Sequence, residues 1–331
     1  MGRILGRQAL LGISLEGSRG TAETDAQYWL SLLSKSIDDV IEQVVDESAV
    51  GVIEDSADAK IVKKSAKGDM EGYIGDKSIG LLLLNLLGAD DPDEAQDETT
   101  VWKHVFTVLQ SAQHPSLTLL LDDPSTQDYK YPLAMGESLE LNFEKGKPAT
   151  FKMGVRSKAG VVVDYPGLTP SLAAEHDFLP RHTTFKFADS LAELGAASAI
   201  DFKKCNIKID QNLEDDDVAN AGEPIDINNK EMKIEGSIEI ICEEETYKTA
   251  MLDGTAKAMR ISLTNDDVDL GNASHPSLQI DLARVKFSEV ARKMDNKDFI
   301  IATLKFKAFY SIYDAQMIEV QLTNQVEDYT A

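Results

Sequence analysis

The sequence is poor in cysteine, and it has no long apolar run. It contains 2 cysteines, Cys205 and Cys242, in 331 residues, which favours two buried thiols in a reducing compartment over a disulfide scaffold. The longest apolar run, residues 79–87, is less than half of the roughly 20 residues that a membrane span requires. The beginning of the chain lacks the apolar core of a secretory signal. We therefore expect a protein that does not enter a membrane.

Positive charge is also scarce. The chain carries 57 Asp and Glu against 33 Lys and Arg, a formal net charge of −24. A surface that grips phosphate groups or anionic lipid needs clustered Lys and Arg, so this composition argues against both kinds of partner. We expect the protein to repel DNA rather than to bind it.

Motifs of catalysis and metal binding are missing. None of the five histidines, His104, His114, His176, His182 and His275, has the spacing of a zinc site. No nucleophile elbow, P-loop or dinucleotide fingerprint is present, so we predict no enzyme, no cofactor and no catalytic residue.

Acidic clusters at 90–94, 122–123, 214–217 and 266–267 lie between periodic segments and are predicted to be surface loops. Clustered carboxylates are suitable ligands for calcium, although no cluster has EF-hand spacing. A calcium-dependent binding or adhesion module with two β-sandwiches therefore remains an alternative.

Three short segments recur in the same order. MEGYI at 70–74 matches IEGSI at 234–238, HPSL at 114–117 recurs at 275–278, and ATFKM at 149–153 matches ATLKF at 302–306. The offset declines along the chain, as shorter loops in a second copy would produce. We interpret this as a duplicated unit, with one domain at 1–180 and another at 181–331, joined through a stretch at 165–181 that contains three prolines.

Alternating apolar and polar residues predict antiparallel strands with one dry and one wet face. The pattern occurs at 139–144, 204–209, 232–240, 304–308 and 318–322. A short helix is predicted after each Glu-Gly strand, at 76–88 and at 243–254, each ending at a glycine. A third helix is predicted at 188–197. The expected fold is mainly β, with two tandem sandwich or barrel domains, each flanked by one helix.

Three segments carry a resemblance to a known family. They are 12–22 (GISLEGSRGTA), 46–51 (DESAVG) and 67–72 (KGDMEG), the last running into the helix that ends at 86–88 (LLG). The chain resembles the tail tube proteins of long-tailed, siphovirus-type bacteriophages, in a doubled form. The resemblance implies β-barrels flanked by a helix, whose sheets join side by side into a ring with a β-lined lumen.

The resemblance further implies rings of six units, which a doubled chain would close with three copies in pseudo-sixfold symmetry. It implies a virion protein assembled in the host cytoplasm, whose partners are itself, a tape-measure protein, a tail terminator and a distal tail protein. Double-stranded DNA would pass through without specific binding.

Some residues are candidates for roles in such a tube. Glu71, Glu235 and Glu239, on wet faces of predicted strands, are the expected lumenal acidic residues, although an outer position is equally compatible with the pattern. The N-terminal arm at 1–8 and a long loop at 39–60 are expected to order on contact with the next ring. Arg3, Arg7, Asp46 and Glu47 are the expected inter-ring contacts.

Overall fold

The computed structural model describes residues 4–56, 58–94, 100–163, 167–241, 245–294 and 299–330. It confirms a mainly β, antiparallel fold. Cys205 is a buried free thiol, and Cys242 lies outside the described residues. Among the described helices, none is long and apolar enough to cross a membrane.

The strands are numbered in chain order. They are β1 (Leu10–Leu15), β2 (Tyr28–Leu30), β3 (Leu32–Asp46), β4 (Asp58–Tyr73), β5 (Gly88–Glu94), β6 (Trp102–Val108), β7 (Leu117–Asp122), β8 (Tyr129–Glu144), β9 (Thr150–Ser157), β10 (Val161–Val162), β11 (Thr183–Ala188), β12 (Phe202–Asp216), β13 (Asp226–Ile241), β14 (Lys257–Thr264), β15 (Ser277–Lys293), β16 (Ile301–Ala308) and β17 (Ile318–Asn324). The two α-helices are α1 (Ser78–Leu87) and α2 (Thr246–Leu252).

One long sheet runs through both halves of the chain. Its strand order is β3-β4-β9-β8-β12-β13-β16-β15. Its apolar face is buried, with Met70, Leu141, Ile207, Ile238 and Leu304 each at most 1% exposed. The five predicted alternating segments lie in β8, β12, β13, β16 and β17, which confirms the strand assignments.

The other strands form a layer behind the long sheet. In the first half, β2, β1, β7, the beginning of β8 and β10 pair in that order. A second group of strands pairs in the order β5-β6-β17-β15-β14-β11, in which β5 and β6 come from the first half of the chain and β15 contributes its beginning. Pairing between β6 and β17, and between β8 and β12, connects the two halves directly.

The repeated segments occupy corresponding elements. The Glu-Gly segments lie in β4 and β13, and the strands β9 and β16 beside them carry the third match. Gly72 is opposite Phe151, and Gly236 is opposite Phe306. In both places an aromatic ring packs over the glycine of the neighbouring strand, and a side chain there would collide with it.

The two predicted helices differ in their surroundings. All ten residues of α1 are buried, and the helix packs against β5, β6 and β8. In α2 only Ala250 is buried. The predicted glycine cap of α1 is confirmed, because Gly88 has φ 93° and its N–H donates to the Leu84 carbonyl.

We expect Gly88→Ala to lower the free energy of unfolding by at least about 2 kcal/mol, because a left-handed alanine is strained. The new Cβ would also lie 2.7 Å from Cβ of Leu109. Gly254→Ala is the matched control, since Gly254 also has a positive φ, 65°, but nothing within 4 Å. Urea denaturation of both variants measures the difference, and equal losses would contradict the packing argument.

Three local predictions were wrong. Half of the predicted loop at 39–60 is strand, because β3 continues to Asp46 and β4 begins at Asp58. The predicted acidic loops at 90–94 and 214–217 lie largely in β5 and β12. The predicted helix at 188–197 is a single 3-10 turn, Leu191–Glu193, because the sequence around Gly195 offers only one fully buried apolar side chain, Leu194.

Candidate functional site

The outer surface of the long sheet is lined with polar side chains, and we call it the polar face. Glu71, Glu235 and Glu239 all lie on it, each partly exposed. Glu71 and Glu235 occupy corresponding positions of β4 and β13, one residue before the paired glycines. The structure therefore brings the three predicted glutamates onto one continuous surface.

Lysines, which the sequence analysis did not single out, share this surface. Lys152 is opposite Glu71, Lys208 is opposite Glu235, and Lys204 is opposite Glu239. Lys233 donates to Glu235 at 2.8 Å, and this hydrogen bond raises the pKa of Lys233. The signal was present in the sequence as lysines at alternate positions of the wet strand faces.

The long sheet ends in two open edges. In the described chain, β3 pairs only with β4. At the other end, residues 286–291 of β15 pair only with β16 among the described strands. Such edges present unpaired backbone N–H and C=O groups, which can pair with another strand.

The junction between β8 and β12 shows how two such edges pair. It runs antiparallel from Lys204 opposite Glu144 to Asp210 opposite Ser138. By the repeat, β12 corresponds to β3, because both lie beside a Glu-Gly strand. Likewise, β8 corresponds to the end of β15, because both lie beside the strands of the third match.

The two Glu-Gly strands belong to hairpins of unequal length. The hairpin of β12 and β13 closes at Asp216 opposite Asp226, whereas that of β3 and β4 continues to Asp46 opposite Asp58. We call residues 39–62 the arm. Large apolar side chains on both faces of the arm are exposed: Val40, Ile41, Val44, Val45, Val50, Val52, Ile53, Ile61 and Val62.

The base of the arm is attached to the shorter hairpin. Lys63 donates to Asp215 at 2.7 Å and to Asp217 at 2.6 Å, and the N–H of Lys64 donates to the Gly222 carbonyl. Burial lowers the pKa of Lys63, but its hydrogen bonds to the two carboxylates outweigh this and raise the pKa overall. These contacts attach the base of the arm to the hairpin of β12 and β13 and so fix the direction in which the arm extends.

The four predicted inter-ring residues are not brought together. Arg3 lies outside the described residues, and Arg7 is exposed in the 3-10 turn Gly6–Gln8. Asp46 and Glu47 lie at the start of the turn of the arm. The turn that carries Arg7 nevertheless contacts β3, the strand that ends at Asp46, since Lys35 of β3 donates to the Gly6 carbonyl at 3.3 Å.

The histidines and acidic residues that could have suggested a metal site have structural partners. His104 is fully buried, with Nδ1 2.7 Å from Asp90 Oδ2 and Nε2 2.8 Å from the Val326 carbonyl. Nδ1 of His114 lies 3.0 Å from the Leu86 carbonyl oxygen, and burial lowers the pKa of His114. No group of three or more His, Cys, Asp or Glu residues in the described segments could hold a metal ion.

Comparison with known proteins assigns a family. A family model described as phage tail tube protein matches residues 6–308. The match includes the arm, both open edges and all strands of the polar face. No curated protein matches the chain.

Proposed function

The chain belongs to the phage tail tube protein family, and we propose that its copies close into rings that stack into a tube through which the genome passes during infection. Family membership supports a structural role in the virion tail, and the absence of an enzymatic activity belongs to the proposal. Assembly in the host cytoplasm, and contacts with a tape-measure protein, a tail terminator and a distal tail protein, belong to this proposal.

The internal junction between β8 and β12 carries the ring proposal. Since β12 corresponds to β3, and β8 to the end of β15, the same pairing joins β15 of one copy to β3 of the next. Within the chain, Lys208 is opposite Glu140. The corresponding residues of the same row are Ser34, opposite Glu71 in β4, and Lys286, opposite Lys307 in β16. Ser34 of one copy should therefore lie opposite Lys286 of its neighbour.

Repetition of this contact generates a closed ring. It is heterologous, because β3 and β15 are different edges, and heterologous contacts give rings when the rotation closes. Three copies would supply the six units that the family resemblance implies. The second layer of strands and the core lie on the apolar side of the long sheet, so we propose that this side faces outwards in the ring and the polar face towards the lumen.

A cysteine cross-link tests the junction. We expect the double variant Ser34→Cys/Lys286→Cys to form disulfide-linked oligomers that end at a closed trimer after mild oxidation, because facing residues on paired strands have Cβ atoms about 4.5–5.5 Å apart. Either single variant and the off-edge pair Ser34→Cys/Asp266→Cys serve as controls. Monomer alone after oxidation of assembled protein would contradict the proposed register.

A further inference from the structure

The charges on the polar face alternate in sign from strand to strand. One row crosses six neighbouring strands of the long sheet without a break. Its residues, in spatial order, are Glu71, Lys152, Glu140, Lys208, Glu235 and Lys307. Opposite charges on directly facing residues stabilise a sheet. Here they also cancel one another across these six strands, whereas at the β15 edge Lys286 lies opposite Lys307.

Neighbouring rows repeat the arrangement. Lys305 contacts Glu289 at 2.7 Å, and Lys208 contacts Asp210 at 2.7 Å. Lys307 lies 3.9 Å from Glu235. Glu140 lacks a close lysine contact in the described interactions but accepts from Asn206 at 2.6 Å. Asp210, Glu235 and Glu289 therefore pair with lysines of the face itself.

The ratio of acidic to basic residues on this surface differs from that of the whole chain. Over four adjacent rows, the face carries the carboxylates Asp69, Glu71, Glu140, Glu144, Asp210, Glu235, Glu239 and Glu289, and the lysines Lys152, Lys204, Lys208, Lys233, Lys286, Lys305 and Lys307. The two signs are almost equal in number there, whereas acidic residues outnumber basic ones 57 to 33 in the whole sequence. The acidic surplus therefore lies mainly off the polar face.

We propose that the polar face is a charge-balanced wall, on which duplex DNA slides because its lysines and carboxylates cancel, and not because net negative charge repels the phosphates. This rests on the proposed tube, in which the face lines the channel. Beyond a Debye length of about 8 Å, adjacent opposite charges leave almost no net field. DNA contact with such a wall should be weak at any salt concentration.

Removing one sign from the row tests the balance. In assembled tubes, Glu71→Gln/Glu140→Gln/Glu235→Gln leaves three lysines unopposed while keeping side-chain shape. We expect tubes of this variant to bind a short linear duplex, with an affinity that falls by about two to three orders of magnitude between roughly 20 and 200 mM salt, since each phosphate contact contributes a slope of about −0.9. Wild-type tubes should bind no duplex at either salt concentration.

Two controls isolate the cause. Glu193→Gln/Glu223→Gln/Glu327→Gln removes as many exposed carboxylates away from the face and should leave tubes without binding. Adding Lys152→Gln/Lys208→Gln/Lys307→Gln to the first variant should abolish the binding again, because balance is restored. If the triple variant fails to fold, Glu140→Gln alone replaces it. We expect DNA binding by that single variant to depend less strongly on salt.

The outcomes separate this inference from the proposed tube. Binding of linear duplex but not of closed circular DNA supports a balanced wall inside a lumen, since a closed circle cannot thread a tube. Binding of both supports the balance but contradicts the lumenal position. If the triple variant forms tubes yet binds no DNA, or if wild-type tubes already bind it in a salt-dependent way, charge balance is overturned.

Discussion

Replacing residues 43–61 with the nine-residue turn of the shorter hairpin, residues 217–225, is expected to give rings that do not stack. The replacement removes six of the nine exposed apolar side chains of the arm but keeps Lys63 and its contacts with Asp215 and Asp217. An apolar strip exposed on both faces of a two-stranded hairpin is unusual for a surface that stays in water. We expect the strip to be buried only against the next ring.

A triple substitution within the arm gives the expected size of the effect on stacking. Val44→Ser/Val45→Ser/Ile61→Ser keeps the length of the arm but removes burial worth about 1.5 kcal/mol per side chain. If all three side chains are covered on stacking, the concentration needed for polymerisation should rise about a thousandfold. Pelleting and negative-stain microscopy measure both variants, and the cross-link between Ser34→Cys and Lys286→Cys reports whether rings persist.

The control lies on the same strand but outside the arm. Ser36→Ala changes an exposed residue of β3 below residue 39 and should leave stacking unchanged. Hydrogen exchange gives an independent measurement, because residues 39–60 and 4–8 should gain protection only in stacked tubes. Normal tubes from the shortened chain, or equal protection in subunits and tubes, would rule out an inter-ring role.

Much of the fold was predictable because the strands are one-sided. In β13, Ile234, Ile238 and Ile240 are buried while Glu235 and Glu239 face outwards, and this period of two is visible in the sequence. The end of α1 was also predictable, since only glycine readily takes the left-handed conformation of Gly88. The polar face followed from the same alternation, which is how Glu71, Glu235 and Glu239 were found.

The arm and the charge balance depend on pairing, which the sequence does not display. Residues 39–45 are exposed on both faces, so they lack the apolar alternation of a half-buried strand, and their order comes from β4 alongside. The acidic cluster at 214–217 was interpreted as a loop for a related reason, since Lys63, its partner, is far away in sequence. Lys152 could not be assigned to Glu71 without the register of β4 and β9.

The largest expected loss of stability comes from Tyr329, near the end of the chain. Its ring is 1% exposed and lies 4.7 Å, between centroids, from His104 of the first half. Its hydroxyl donates to the Lys77 carbonyl at 2.6 Å, at the start of α1, and accepts from Asn324 at 2.7 Å. Tyr329→Ala should therefore lower the free energy of unfolding by about 3–5 kcal/mol, because it leaves a ring-sized cavity beside α1.

Two further substitutions separate packing from hydrogen bonding. Tyr329→Phe keeps the ring and should cost about 1 kcal/mol, while Tyr313→Ala, at a ring that is 97% exposed, should change stability by less than about 0.5 kcal/mol. Because Tyr329 belongs to the second half but fills the core of the first, its loss should also reduce coupling between them. Denaturation followed by a separate probe in each half of the chain would then show two unfolding transitions in place of one. A single transition, with a loss as small as that of Tyr329→Phe, would mean that the pairing of β8 with β12 and of β6 with β17 holds the halves together without this side chain.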